Sequence, residues 1–138
     1  MTLAKNIQTV TELAQLKPRW YGEGEGMPIH PEVIEKTLRI LHKLAEYQPW
    51  VYPTIDGNIQ LEYEGIDKLD YLEFLIKKDT IEQFSMSGTV MSESREVSED
   101  KILSTVEAFY VVERFCTTFL NTSGNFIHIF TSFYGISF

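Results

Sequence analysis

The stretch that decides the fold runs from Trp50 to Tyr63 and reads WVYPTIDGNIQLEY. Asp56-Gly57 stands between two segments of alternating apolar and polar residues, which is typical of a β-hairpin closed by a two-residue type I′ turn. Such a turn pairs Tyr52 with Leu61. Because Pro53 lacks a backbone N–H, its strand is predicted to lie at the edge of the sheet. One face of the hairpin would carry Trp50, Tyr52, Ile59, Leu61 and Tyr63.

Two further strands are predicted after the hairpin, from about Leu69 to Lys77 and from Ile81 to Val90. A loop over Lys78, Asp79 and Thr80 would place Phe74 opposite Phe84, whereas a two-residue loop would place Phe74 opposite Gln83. The longer loop buries more apolar surface and is therefore the one expected. The outer face of the sheet would then carry Gln60, Glu62, Glu64, Tyr71, Glu73, Gln83 and Ser85.

Helices are predicted on both sides of these strands in the sequence. Thr9 and Glu12 have capping-box spacing, which predicts a short helix that ends before Pro18. Residues 20–26 contain three glycines and are predicted to form a loop. Pro31 begins a second helix with apolar residues at steps of three and four. Ser98 is the predicted N-cap of a long helix over residues 99–120.

This order of elements predicts an α+β fold. A four-stranded antiparallel meander would have the N-terminal helix and the long C-terminal helix packed on one face. The length of 138 residues fits one domain. Within it, residues 1–49 would form a helical and glycine-rich part, 50–90 the sheet, 98–120 the long helix and 125–138 an apolar tail.

Charge is unevenly distributed along the chain. The formal net charge is −8 at pH 7, and residues 51–100, with 12 acidic and 4 basic side chains, account for all of it. Binding to phosphates needs clustered cations, so we do not expect a nucleic-acid partner. Three charged residues on the long helix, Glu107, Glu113 and Arg114, argue against a membrane span. The chain has one cysteine and no signal-peptide pattern, which favours a cytoplasmic location.

Signals for catalysis or cofactor binding are weak. Cys116 lies on an apolar helix with no histidine nearby in sequence, which is typical of a buried, inert thiol. The glycine-rich loop lacks the Lys-Ser/Thr pair of a phosphate loop. Glu23, Glu25 and His30 could gather around a metal ion, but a helix-capping role explains His30 better. We therefore predict no catalytic residue, no cofactor and no metal.

The outer face of the sheet is the first candidate binding surface. Glu62, Glu64, Tyr71 and Glu73 would form an acidic stripe that attracts and steers a basic partner. We therefore expect a non-catalytic protein-interaction module, and an immunity or antitoxin protein that inhibits a basic toxin is the specific version of this hypothesis. A polar outer face is common in half-buried sheets, so a generic structural or interaction module is the other interpretation that stays open.

The alternative hypothesis is a small enzyme or ligand-binding domain. Its pocket would form where the glycine-rich loop closes over the sheet edge, with a glutamate as a base. This pocket would be lined by Trp20, Tyr21, Glu23, Glu25, Trp50 and Tyr52.

Four short motifs within residues 20–75 resemble those of a loose group of small bacterial proteins. They are Trp20-Tyr21-Gly22-Glu23-Gly24, Pro28-Ile29-His30-Pro31-Glu32, Val51-Tyr52-Pro53-Thr54 with Asp56-Gly57, and Gln60-Leu61-Glu62-Tyr63-Glu64. The group's patterns look like Gly-Trp-x-Gly-Glu-Gly, Pro-x-Ser-Pro-Glu, Tyr-Pro-Thr-x-x-Gly-Gly and Gln-x-Glu-Trp-Glu. Here His30 replaces the serine and Tyr63 the tryptophan. The resemblance implies a soluble bacterial protein and carries no activity with it.

The apolar tail generates a first testable prediction. Eight large apolar residues occur within the thirteen positions from Phe126 to Phe138. Burying each contributes about 1.5 to 3 kcal/mol, so the tail should pack on the domain or pair two copies of the chain as a homodimer. Deletion of residues 125–138 should cause aggregation or unfolding, as measured by light scattering and thermal melts. A truncated chain that stays monomeric and melts cooperatively would contradict this prediction.

Overall fold

The computed structural model describes residues 1–66 and 69–120, with side chains as far as Val111. The helices are α1 (Leu3–Leu13), α2 (Pro31–Leu44) and α3 (Ile102–Leu120), and a 3-10 turn at Glu99–Lys101 leads into α3. The strands are β1 (Trp50–Pro53), β2 (Ile59–Glu64), β3 (Tyr71–Ile76), β4 (Ile81–Ser87), β5 (Val90–Met91) and β6 (Arg95–Glu96). Every strand pair is antiparallel.

The structure confirms the α+β class and the antiparallel sheet. The strand order is β1-β2-β3-β4-β5, and β6 also pairs with β4. The prediction of four strands is therefore too low, because Val90–Met91 and Arg95–Glu96 form two further short strands at and beyond the predicted end of the fourth strand. The long helix also starts later than predicted, since residues 99–101 form the 3-10 turn.

The helices and one face of the sheet share a single core. Leu61 of β2 and Phe74 of β3 are fully buried, and the three helices contribute apolar side chains to the same cluster. The helical members are Val10, Val33, Ile40, Leu41, Leu44, Ile102, Val106 and Phe109. Among the described residues this packing covers one side of the sheet, and the side chains that alternate with the core residues point to the other side.

The first helix was predicted in the wrong place. It begins at Leu3, where the Thr2 hydroxyl accepts a hydrogen bond from the Lys5 N–H at 3.2 Å. Thr9 lies inside this helix and donates its hydroxyl to the Lys5 carbonyl at 3.0 Å. An earlier cap of the same chemistry thus replaces the predicted capping box.

Two buried amides join α1, the end of α2 and the start of β1. The Asn6 amide nitrogen donates to Gln48 Oε1 at 3.0 Å and to the Pro49 carbonyl at 2.9 Å. The Gln48 amide nitrogen donates to the carbonyls of Leu41 and Ala45, at 2.9 and 2.7 Å. Gln48 therefore satisfies helix-end carbonyls that would otherwise lack partners.

The register of the hairpin differs from the prediction by one residue. Val51 pairs with Leu61 and Tyr52 pairs with Gln60, so Val51 is buried while Trp50 and Tyr52 point outward. The turn is longer than the two-residue type I′ turn, because the Thr54 N–H donates to the Asn58 carbonyl at 2.9 Å. A shift of one residue moves every side chain of a strand to the other face. The edge position of β1 is confirmed.

The register of β4 also differs from the expected one. Phe74 pairs with Gln83, and the Lys77 N–H donates to the Thr80 carbonyl at 2.9 Å across the two-residue loop. Gln83 and Ser85, predicted on the outer face, are therefore buried. The shorter loop is reinforced by α2, because Lys36 Nζ donates to the carbonyls of Lys77 and Lys78, at 2.8 and 2.9 Å.

Several predictions fall beyond the described part of the chain. The apolar tail over residues 125–138 and the turn before it lie outside the described residues, as does the side chain of Cys116. Among the helices of the described residues, none is long and apolar enough to cross a membrane.

Gly57 generates the prediction that tests the packing of the hairpin turn. Its φ is +81°, and a Cβ there would lie 2.7 Å from the Pro28 carbonyl oxygen. Gly57→Ala should cost roughly 1 to 2 kcal/mol through the left-handed backbone and about 1 to 3 kcal/mol more through the clash. Gly88→Ala is the matched control, since its φ is +60° and a Cβ would meet nothing within 4 Å. Equal losses in urea unfolding would contradict the role of the clash.

Candidate functional site

The outer sheet face is the surface opposite the core. It consists of the residues that alternate with the buried ones along β1 to β4. They are Trp50, Tyr52, Gln60, Glu62, Glu64, Tyr71, Glu73, Leu75, Glu82, Phe84 and Met86. All four residues predicted to bind a partner, Glu62, Glu64, Tyr71 and Glu73, belong to it.

A central row on the outer sheet face combines two carboxylates with two aromatic rings. Glu62 of β2 pairs with Glu73 of β3. On the outer sides of this pair, Trp50 of β1 is opposite Glu62 and Phe84 of β4 is opposite Glu73. Directly opposite residues have Cβ atoms about 5 Å apart, so two like charges face each other at short range. This pairing costs free energy unless the carboxylates find donors.

Tyr71 supplies a donor to this carboxylate pair. Its hydroxyl donates to Glu73 Oε2 at 2.6 Å and also lies within hydrogen-bonding reach of the Glu62 carboxylate. Gln60 Nε2 donates to Glu62 Oε1 at 2.5 Å and approaches the Tyr71 hydroxyl at 3.4 Å. A phenol has one proton, so it can serve only one of the two carboxylates at a time.

The Glu62–Glu73 pair accepts hydrogen bonds from neutral side chains, whereas a neighbouring carboxylate forms an ion pair. Glu82, on the same face, forms an ion pair with Lys77 at 2.7 Å. Within residues 1–66 and 69–111, the ion pairs involve neither Glu62 nor Glu73. Their negative charge is therefore available to a cation from outside this part of the chain.

The protonation of Tyr71 follows from these contacts. Burial raises the pKa of the Tyr71 phenol well above its usual value, and the hydrogen bonds and negative charges of Glu73 and Glu62 raise it further. The phenol thus stays protonated at neutral pH and acts as a donor. Nothing in this arrangement makes Tyr71 a base.

The aromatic side chains extend the chemistry of the outer sheet face. Trp50 and Tyr52 are 48% and 45% exposed, although the sequence predicted them on the buried side. The ring of Tyr71 meets that of Phe84 edge to face at 6.3 Å. Carboxylates beside aromatic rings are suited to a guanidinium or ammonium group. Such a cation forms ion pairs with the carboxylates and cation–π contacts with the rings.

The glycine-rich loop forms a compact turn of its own. The Arg19 N–H donates to the Gly26 carbonyl at 2.7 Å, and the Trp20 indole N–H donates to the Met27 carbonyl at 2.6 Å. The ring of Trp20 packs against that of Tyr21, while Glu23 and Glu25 are exposed. The other two predicted members of the alternative pocket, Trp50 and Tyr52, lie with Glu62 and Gln60 on the outer sheet face.

His30 is the N-cap residue of α2, as predicted, and its side chain packs against the hairpin turn. It precedes α2 but forms no capping hydrogen bond through its side chain, and its imidazole lies against Gly57. Its backbone N–H donates to the Gly57 carbonyl at 3.1 Å, which ties α2 to the hairpin turn. In the described part of the chain, no three His, Cys, Asp or Glu residues are placed to hold a metal ion.

Glu82, Phe84 and Met86 also belong to the outer sheet face, although the register expected from the sequence places them on the core side. The signal that could have found them was the alternative two-residue loop at Lys78 and Asp79, which places Phe84 beside Glu73. No protein-family model, curated protein or solved structure matches this chain.

Tyr71 generates a prediction on pH dependence. The difference between the ultraviolet pH titrations of wild type and Tyr71→Phe isolates this phenol, and its midpoint should lie above the usual value of about 10. The pKa of the Tyr71 phenol is raised in the folded state, so this phenol ionises first in the unfolded chain. The contribution of Tyr71 to the free energy of unfolding is therefore present below pH ~10 and is lost as the pH rises further. A difference curve centred near pH ~10 would contradict the hydrogen-bond network.

Proposed function

We propose that this protein is a non-catalytic interaction module whose outer sheet face binds a cationic side chain of a basic protein partner. The observation that carries the proposal is the cross-strand pair Glu62–Glu73, to which Tyr71 offers a single hydroxyl proton, donated to Glu73. This pair stands between Trp50 and Phe84. A guanidinium offers five N–H donors in a planar fork, enough to serve both carboxylates.

The aromatic neighbours favour arginine over lysine in this role. A guanidinium stacks on aromatic faces and sheds its water more easily than an ammonium group does. Trp50, on the edge strand, is half exposed and can cover such a group from one side. Phe84 lies at the other end of the same row. The hot spots of protein interfaces commonly combine arginine with aromatic residues in this way.

Long-range electrostatics support the same class of partner. The net charge of −8 arises from residues 51–100, which include β2 to β4 and all of β1 except Trp50. A localised field of one sign accelerates the approach of an oppositely charged protein and loses strength when salt is added. An immunity or antitoxin protein that covers the cationic active site of a toxin is the specific function that these features favour, in the bacterial cytoplasm that the sequence suggests.

Charge reversal on the outer sheet face tests the proposal. Wild type, Glu62→Lys/Glu73→Lys and the control Glu46→Lys/Glu107→Lys are immobilised and exposed to a bacterial lysate, and retained proteins are identified by mass spectrometry. The control pair is exposed and lies outside the sheet. A basic protein should be retained by wild type and control but not by the outer-face variant. Because the reversed side chains point away from the core, the fold should persist.

Association kinetics with the retained protein complete this test. The wild-type association rate should fall between roughly 0.05 and 0.5 M salt, because the Debye length shrinks. Equal retention by both variants, or an association rate that ignores salt, would contradict the proposal. The exposed Tyr21 and the carboxylates of the glycine-rich loop would then become the better candidate surface.

A further inference from the structure

A polar cavity of about 390 Å³ lies on the side of the sheet opposite the outer sheet face. It is bounded by β4, by β6 and by the first turn of α3. Gln83 and Arg95 are cross-strand partners there, and Lys101, Ser104 and Thr105 line the wall formed by the helix.

Gln83 gives this cavity a buried polar group without a partner. The residue is 2% exposed, and its carbonyl oxygen Oε1 has no hydrogen-bond partner among the described residues. Neighbouring positions on the same face of β3 carry the apolar residues Leu72, Phe74 and Ile76. A buried amide oxygen among them costs free energy unless it accepts a hydrogen bond. An amide can accept through its oxygen and donate through its nitrogen.

Two cations stand at the rim of the same cavity. Arg95 and Lys101 are exposed, and within the described ranges the ion pairs use other cations, namely Arg39, Lys43, Lys77 and Lys78. Glu96 is the acidic residue of the lining, so the two cations outnumber it.

Hydroxyl groups add acceptors to the wall formed by the helix. Ser104 and Thr105 donate their hydroxyls to the Lys101 carbonyl, at 3.0 and 2.8 Å, and keep their own oxygen lone pairs for a ligand. The start of α3 contributes a partial positive charge to the same region.

We propose that this cavity binds a small anion that carries a hydroxyl or amine beside its carboxylate or phosphate group. Arg95 and Lys101 would hold the anionic group at the rim, and the amide of Gln83 would accept the hydrogen bond of the neighbouring hydroxyl or amine. This site is independent of the outer sheet face, and its ligand has the opposite charge.

Ligand pairs that differ by one hydroxyl-bearing group test the proposal. The first pair is L-malate and succinate, and the second is glycerol 3-phosphate and inorganic phosphate. Both are tested on the full chain, and KCl at the same ionic strength serves as the control. Binding is followed by the rise in melting temperature and by calorimetry. The hydroxyl-bearing member of at least one pair should bind more tightly, and the two pairs distinguish a carboxylate from a phosphate ligand.

Variants assign the binding to the cavity. Arg95→Gln/Lys101→Gln should weaken binding at least about tenfold, whereas the control Lys5→Gln/Lys17→Gln, which removes two exposed cations elsewhere, should not. Gln83→Leu should abolish the preference for the hydroxyl-bearing probe, and circular dichroism checks its fold. The proposal is overturned if no probe exceeds the KCl control, or if the lysine control loses binding equally.

Discussion

The pairing of Leu61 with Phe74 at the centre of the sheet is the contact on which the rest of the structure depends. Both side chains are fully buried beneath the helices. Because side chains alternate between the two faces of a strand, the next residue on each strand must point to the opposite face. Glu62 and Glu73 must therefore emerge side by side on the opposite face. The repulsion between these carboxylates is thus a consequence of the core, and Tyr71 and Gln60 are the residues that reduce it.

The inner strands could be predicted from the sequence, whereas the strands beside them could not. β2 and β3 alternate so regularly that their buried and exposed sides follow directly from the order of residues. The sides of β1 and β4 depend on loop length. The Asp56-Gly57 turn pattern predicted the wrong loop length before β2, and buried apolar area predicted the wrong one before β4. The shorter loop before β4 is supported by Lys36, whose ammonium group reaches it from a helix some forty residues earlier in the chain. No local pattern contains that contact.

One register therefore determines both candidate sites. With Gln83 opposite Phe74, Phe84 joins the acidic row on the outer sheet face, and the amide of Gln83 turns into the cavity beside α3. With the register expected from the sequence, the two side chains would exchange faces and both sites would lose a member. The carboxylates of the outer sheet face could be predicted because β2 and β3 hold most of them. The cavity could not be predicted, because it depends on β4, β6 and α3 together.

The buried amides of Asn6 and Gln48 have a consequence for the order of events during synthesis. Asn6 lies on α1, yet both of its hydrogen-bond acceptors, Gln48 Oε1 and the Pro49 carbonyl, are more than forty residues further along the chain. A helix of eleven residues is marginal in water by itself. During synthesis α1 leaves the ribosome before its acceptors do, so it cannot complete its native contacts until the start of β1 has followed it.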